Sequence, residues 1–186
     1  MKSLFALGAP FAVLVVFAAC GGDDDDAGPG GGIQTGPMLF ASDSFASGEL
    51  MPAEFTCEGA DVSPDLAWGD VPADAESLVL LVEDPDAGDF PHWVVYDIPA
   101  DSADLAQDVS DGDTVASGGT QGENGFGDVG YGGPCPPSGE EHEYRFSLYA
   151  LDAELGLEPG ASAGEVKTAL ADHVLALSQI AIVFAR

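Results

Sequence analysis

Six consecutive residues, Ser77-Leu78-Val79-Leu80-Leu81-Val82, form an almost uninterrupted apolar run between segments rich in Asp, Glu and Pro. Successive side chains of a strand point to opposite faces, so a strand that is apolar at every position must be covered on both faces. The run therefore predicts a buried strand at Ser77–Val82. Of the 186 residues, 46% are hydrophobic, which is enough for one folded domain with a real core and excludes a disordered acidic chain.

Further segments predict a mainly β fold with few helices. Strands are expected where β-branched or aromatic residues lie between turn residues, at Met38–Ala41, His92–Ile98, Glu143–Leu151 and Ile180–Phe184. One helix is expected, because Ser162 and Glu165 have the spacing of a capping box. Its apolar face would consist of Val166, Leu170, Val174 and Leu177, with His173 on the same helix in a structural role.

The charge is extremely acidic. Four Lys and Arg stand against 33 Asp and Glu, which gives a formal net charge of −29. No basic residue occurs between Lys2 and Arg145. Nucleic acids and anionic membrane surfaces attract proteins through cationic patches, so neither is an expected partner of the folded surface.

The N-terminal region predicts export. Lys2 and an apolar run ending at Ala19 are typical of a signal peptide, residues 1–19. The sequence Val16-Phe17-Ala18-Ala19-Cys20-Gly21 resembles a bacterial lipoprotein processing site, which implies lipidation at Cys20. The alternative is an ordinary cleaved signal with an incidental Cys. Residues 20–37 are dominated by Gly, Asp and Pro and predict a flexible acidic tether that carries the domain, 38–186, outside the cytoplasm on a membrane anchor.

If Cys20 is lipidated, Cys57 and Cys135 remain as an even pair in an oxidising compartment. They are candidates for a disulfide, and the alternative is two buried free thiols. Neither belongs to a Cys-x-x-Cys redox or zinc motif.

Polar residues with useful chemistry occur in three places next to predicted strands. These are Asp84-Pro85-Asp86 followed by His92, the glycine- and proline-rich segment Gly130–Pro137, and His142-Glu143-Tyr144. Glycines allow backbone N–H groups to form an anion-binding nest, His92 and His142 can donate to a phosphate-like group, and Asp84 and Asp86 can orient the imidazoles or accept from an amine. Each motif taken alone is more often a turn, a rigid loop or a structural histidine.

Taken together and in order, the motifs resemble the phosphatidylethanolamine-binding protein family, in its bacterial Raf-kinase-inhibitor-like branch. The similarity extends from Phe45-Ala46-Ser47-Gly48 and Cys57-Glu58-Gly59 to Ala150-Leu151-Asp152 and His173, and so covers nearly the whole domain. It implies a β-sandwich of two antiparallel sheets with a C-terminal helix and a closing strand. It also implies a small anion pocket lined by Asp84, Asp86, His92, Gly132, Gly133, Pro134, His142 and Tyr144.

The chain departs from the family pattern at two positions. Gly88 stands where the family usually has Pro, which suggests a looser loop, and Glu143 stands where it usually has Arg between His142 and Tyr144. On a strand, Glu143 would point away from these two neighbours and leave the pocket intact.

The resulting functional hypothesis is a non-enzymatic, lipid-anchored protein outside the cytoplasm that binds phosphate-type or carboxylate anions, such as phospholipid head groups. The alternative is an inhibitor or regulator of an exported protease or another hydrolase, as relatives inhibit proteases and kinases. Catalysis and metal binding are not expected, although Asp84, Asp86, His92 and His142 have ligand chemistry. No His-Glu-x-x-His motif and no Gly-x-Ser-x-Gly motif is present, and no cofactor is expected.

Overall fold

The computed structural model describes residues 38–186. The predicted signal peptide 1–19 and tether 20–37, including Cys20, lie outside the described residues. Two 3-10 turns occur, at Ala53–Phe55 and Pro85–Ala87. The strands and the α-helix of this range are β1 Leu39–Ala41, β2 Leu66–Gly69, β3 Ser77–Asp84, β4 Phe90–Pro99, β5 Asp104–Leu105, β6 Thr120–Gln121, β7 Glu141–Leu151, α1 Ala163–Leu170 and β8 Val174–Ala185.

The strands form two sheets. A three-stranded sheet has the order β1-β2-β5, and a five-stranded sheet has the order β6-β4-β3-β7-β8. Every pairing of neighbouring strands is antiparallel. The predicted mainly β sandwich of antiparallel sheets, with a C-terminal helix and a closing strand, is therefore confirmed.

Strand β3 is the centre of the larger sheet and is covered on both faces, as its apolar run predicted. Leu78, Leu80 and Val82 belong to a core cluster that includes side chains of the smaller sheet, such as Leu66. Val79 and Leu81 belong to a second cluster with residues of α1. All five residues of β3 from Leu78 to Val82 are fully buried. Residues 38–186 consequently form three layers, with the larger sheet in the middle.

The predicted helix is correct at its start and wrong at its end. Ser162 caps the helix, and both hydrogen bonds of the capping box are present. The helix ends at Leu170, so Val174 and Leu177 lie in β8. These residues pair with Leu151 and Tyr149 of β7. The spacing of these apolar residues is compatible with a helix or a strand. Hydrogen bonding to the long neighbouring strand β7 stabilises the strand instead of the helix.

His173 likewise lies in the turn between α1 and β8, not on the helix as predicted. Its Nδ1 is 2.8 Å from Oδ1 of Asp152, and both side chains are exposed.

The other predicted strands are all present, with somewhat different bounds. Strands β2, β5 and β6 were not predicted. β5 and β6 have two residues each, which are too few to show a period, and β2 has only four. None of the helices in residues 38–186 has the length and hydropathy required to cross a bilayer.

Candidate functional site

The pairing of β3 brings the predicted site residues together. Because β3 is antiparallel to both β4 and β7, its C-terminal end lies beside their N-terminal ends. Asp84 pairs with Phe90 at the start of β4, and Glu83 pairs with Arg145 near the start of β7. His92, His142 and Tyr144 lie at these same strand ends. Residues far apart in the sequence therefore meet at one end of the larger sheet.

Asp84 and His142 form a buried pair. Oδ2 of Asp84 is 2.7 Å from Nδ1 of His142, and the two residues are 3% and 8% exposed. The other carboxylate oxygen of Asp84 accepts the backbone N–H of Ala87 at 3.0 Å, which fixes the carboxylate on the 3-10 turn. Nε2 of His142 is 3.3 Å from Oε2 of the exposed Glu140. The hydrogen bond to Asp84, followed by that to Glu140, raises the pKa of His142 and favours its charged form.

Asp86 has a different position from the one expected for a residue that orients a histidine. Its carboxylate is exposed and accepts the backbone N–H of Glu143 at 2.8 Å. Asp86 thus ties the 3-10 turn to β7, while Asp84 alone orients His142. Glu143 is half-buried and pairs with Arg145, whereas its neighbours His142 and Tyr144 are buried. The expectation that Glu143 points away from the cluster is confirmed.

His92 is also buried, but its surroundings are aromatic. Its Nδ1 is 2.7 Å from the carbonyl oxygen of Gly132. The ring centroid lies 5.1 Å from that of Tyr144, 5.2 Å from that of Phe90 and 5.5 Å from that of Phe126. Burial lowers the pKa of His92, because desolvation penalises the imidazolium. The two histidines are therefore biased toward opposite charge states.

Tyr144 contributes a buried hydroxyl to the same cluster. Its Oη has no hydrogen-bond partner within residues 38–186. Burial, together with the charge of Asp84, raises the pKa of this phenol, so the hydroxyl stays protonated and can donate.

The glycines of the loop do not form the anion-binding nest that their sequence suggested. The N–H of Gly132 donates to the carbonyl of His92 at 2.8 Å, and the N–H of Gly133 donates to Oδ1 of Asp61 at 2.7 Å. Both amides are thus already used. Glycine is required for another reason: a Cβ at Gly132 would lie 2.6 Å from the Phe126 ring, and one at Gly133 would lie 2.6 Å from the carbonyl oxygen of Phe55.

The loop is held on its other side by Cys57. The backbone N–H of Cys57 donates to the carbonyl of Pro134 at 3.2 Å. Cys57 and Cys135 are joined in a disulfide with Cα atoms 5.5 Å apart. The segment that contains Gly132, Gly133 and Pro134 is therefore fixed both to β4 and to the turn before β2.

Gly88, the first departure from the family pattern, ends the 3-10 turn in the left-handed region at φ +74°. Proline cannot adopt this φ, so the turn in this form requires a residue such as glycine. Its N–H donates to the carbonyl of Pro85 at 3.2 Å, which closes the turn.

A cleft of about 550 Å³ adjoins the cluster and shares Gly132 and Gly133 with it. Its lining includes three carboxylates, those of Asp61, Asp111 and Asp128, and does not include either histidine. The cleft is therefore unsuited to an anion. Within residues 38–186, no three His, Cys, Asp or Glu side chains are grouped so that they could hold a metal ion.

Three residues of the site were missed by the sequence reasoning. Asp61, in the left-handed conformation at φ 57°, had no distinguishing pattern. Glu140 had no sequence pattern that distinguished it from the many other acidic residues. Phe126 carried a usable signal, because it lies between Gly125 and Gly127 in a turn organised by the buried side chain of Asn124.

The comparisons with known proteins agree with the two-sheet antiparallel fold. The family model described as phosphatidylethanolamine-binding protein matches residues 41–185. The chain therefore belongs to the phosphatidylethanolamine-binding protein family.

Relatives come from bacteria and archaea. A UPF0098 protein of Aquifex aeolicus is 48% identical over 147 residues, which cover 77% of this chain and 85% of that protein. The protein LppC of Mycobacterium tuberculosis, classed by its name as a lipoprotein, is 45% identical over 138 residues, covering 73% of this chain and 66% of LppC. The crystal structure of E. coli YbcL, described as a new member of the mammalian PEBP family, has a TM-score of 0.74 and 31% identity, covering 80% of this chain and 98% of YbcL.

Proposed function

We propose that this protein is a non-enzymatic binding protein whose buried cluster takes the oxyanion of a phosphate-type or carboxylate ligand, such as a phospholipid head group. The observation that carries the proposal is the buried hydroxyl of Tyr144, whose Oη has no hydrogen-bond partner within residues 38–186. Buried polar groups are almost always hydrogen-bonded, so this hydroxyl calls for an external partner. The neighbouring ring of His92 hydrogen-bonds through Nδ1, which leaves its Nε2 available to the same partner.

The charge of His142 supports an anionic partner. The hydrogen bond to Asp84 raises the pKa of His142 and so favours its charged form, and its Nε2 contacts an exposed glutamate that a ligand can displace. Long-range repulsion from the acidic surface opposes anion entry, but it is screened beyond about 8 Å at physiological salt. Recognition must therefore be local, through His142, His92 and Tyr144.

The contacts of the two buried histidines favour a binding function over catalysis. Their nitrogens contact carboxylates and a carbonyl, and no serine hydroxyl hydrogen-bonds to either imidazole within residues 38–186. Both cysteines of that range are in the disulfide. A base placed against a nucleophile is the usual arrangement for covalent catalysis.

The proposed place of action is outside the cytoplasm, on a lipid anchor at Cys20. The processing-site pattern at residues 16–21 supports it, as does the name of the relative LppC. The disulfide fits an oxidising compartment.

The test of the binding proposal is a titration of the full-length protein with inorganic phosphate, phosphoethanolamine and acetate, followed through the imidazole NMR signals. His92 and His142 should shift together and saturate with at least one of these anions, because the oxyanion contacts both rings. His173 is the internal control, since it lies on the exposed turn and pairs with Asp152. If no anion moves either buried histidine, or if His173 moves equally, the proposal is wrong.

A further inference from the structure

The two ring nitrogens of His92 have unequal roles that the fold imposes. Nδ1 is 2.7 Å from the carbonyl oxygen of Gly132, and a carbonyl oxygen has only lone pairs. Nδ1 must therefore carry the proton and donate it. In the neutral imidazole, Nε2 is then unprotonated and is an acceptor.

This tautomer is held by a reciprocal contact. The N–H of Gly132 donates to the carbonyl of His92, and the ring of His92 donates to the carbonyl of Gly132. Turning the Gly132–Gly133 peptide to offer Nδ1 an N–H would break the bond from Nδ1 to the Gly132 carbonyl and the bond from the Gly133 N–H to Oδ1 of Asp61. Leaving such buried groups unpaired costs about 1–3 kcal/mol each. Moving the imidazole proton from Nδ1 to Nε2 would therefore be energetically costly.

The charged form of His92 is disfavoured without a ligand. Phe90, Phe126 and Tyr144 pack against the ring, and His92 is 3% exposed. The carboxylates of Asp84 and Asp61 act in the opposite direction but are weaker than the burial, and Asp84 is already paired with His142. His92 thus presents a lone pair at Nε2.

An oxyanion also presents only lone pairs. It can hydrogen-bond to Nε2 only if a proton lies between the two atoms. We infer that an oxyanion binds this site together with one proton, which is held between the ligand oxygen and Nε2 of His92. No covalent bond forms or breaks: the anion, the neutral imidazole and one proton from solvent give the complex. This inference rests on the binding proposed above.

His142 does not need the same coupling. Both of its nitrogens contact carboxylates, those of Asp84 and Glu140, so it is prepared to be an imidazolium before a ligand arrives. Proton uptake on binding is therefore assigned to His92.

If binding requires a proton on His92, two classes of phosphate ligand should differ in the pH dependence of their affinity. A phosphate monoester has its second pKa at about 6, so part of the free ligand already carries the proton near that pH. A phosphodiester, such as that of a phospholipid, stays unprotonated and requires the proton on His92. The diester should therefore depend more steeply on pH than the monoester.

The experiment is calorimetry on the full-length protein with glycerophosphoethanolamine, a diester, and phosphoethanolamine, a monoester. Measurement in two buffers of different ionisation heat gives the number of protons taken up. The diester should take up about one proton near neutral pH, and its affinity should fall about tenfold for each pH unit above neutrality. The monoester should take up about half a proton near pH 6.

Two matched variants test whether His92 is the residue that takes up the proton. In His92→Gln, the side-chain amide can donate near the position of Nε2 without titrating, so diester binding should weaken and its proton uptake should fall by about one. In His173→Gln the uptake should be unchanged. The nitrogen NMR shifts of His92 in the wild type give a second readout: Nε2 should be unprotonated in the free protein and protonated in the complex.

Diester binding with no proton uptake, or full uptake in His92→Gln, would overturn the inference and leave the binding proposal standing. Absence of binding by every anion at every pH would instead overturn the binding proposal itself.

Discussion

At the scale of single residues, the loop glycines have no room for a side chain. A Cβ on Gly133 would lie 2.6 Å from the carbonyl oxygen of Phe55 and 2.9 Å from Cα of Thr56, both backbone atoms of the neighbouring segment. Backbone cannot move aside as a flexible side chain does. Gly133 is therefore required by packing, and its N–H holds Asp61 rather than a ligand.

Gly133→Ala is expected to destabilise the protein by about 1–3 kcal/mol, the usual cost of forcing an extra carbon into a packed site. Urea unfolding measures it. Gly164→Ala is the matched control, because a Cβ there has no neighbour within 4 Å and the residue lies in α1. The control should be neutral or stabilising by up to about 1 kcal/mol. Equal unfolding midpoints for the two variants would contradict this packing role.

At the scale of elements, the site depends on how separate segments are joined. Strands β3, β4 and β7 bring Asp84, His92 and His142 together through their ladders, but the glycine loop has no strand of its own. The disulfide fixes that loop and closes a segment with a sequence separation of 78.

Replacing both Cys57 and Cys135 by Ser should lower the free energy of unfolding by about 2–5 kcal/mol, since a cross-link over a long loop restricts the unfolded chain. Urea unfolding with and without dithiothreitol measures the loss. Reductant should destabilise the wild type and leave the double variant unchanged. A wild type that is indifferent to reductant would show that the cross-link contributes no stability.

The helix and the strands also show how much of the fold could be predicted from the sequence. The apolar run at 77–82 and the alternation in 143–151 predicted β3 and β7, because burial on one or two faces leaves a period in the sequence. The end of α1 was not predictable, because Val174 and Leu177 fit a helical face as well as a strand, and the ladder with β7 decided between them.

At the scale of the whole molecule, charge determines how the protein can meet a membrane. Residues 38–186 contain 29 of the 33 acids and three of the four Lys and Arg. Each of these three cations is already paired: Arg145 with Glu143, Lys167 with Glu83 and Arg186 with Glu58. The described surface therefore offers no unpaired Lys or Arg to an anionic bilayer, so the proposed membrane attachment depends on the lipid at Cys20.

Cys20→Ser should remove lipid labelling of the expressed protein and release it from the membrane fraction. Cell fractionation with a radiolabelled fatty acid measures both effects. The Cys57→Ser, Cys135→Ser double variant is the control and should remain labelled. Continued membrane attachment of Cys20→Ser after a high-salt wash would contradict the anchor.

The sequence by itself determined the mainly β class, the buried central strand, the helix start at Ser162 and the residue types of the site, because these depend on local period and on motifs close together in the chain. Only the tertiary structure decided which nitrogen of His92 is free, that Asp84 rather than Asp86 orients His142, and that the glycine amides are already occupied. These features depend on contacts such as that of His92 with Gly132, 40 residues apart, and no local pattern records them. The −29 charge is a property of composition, while the groups proposed to bind an anion are brought together by the pairing of the strand ends.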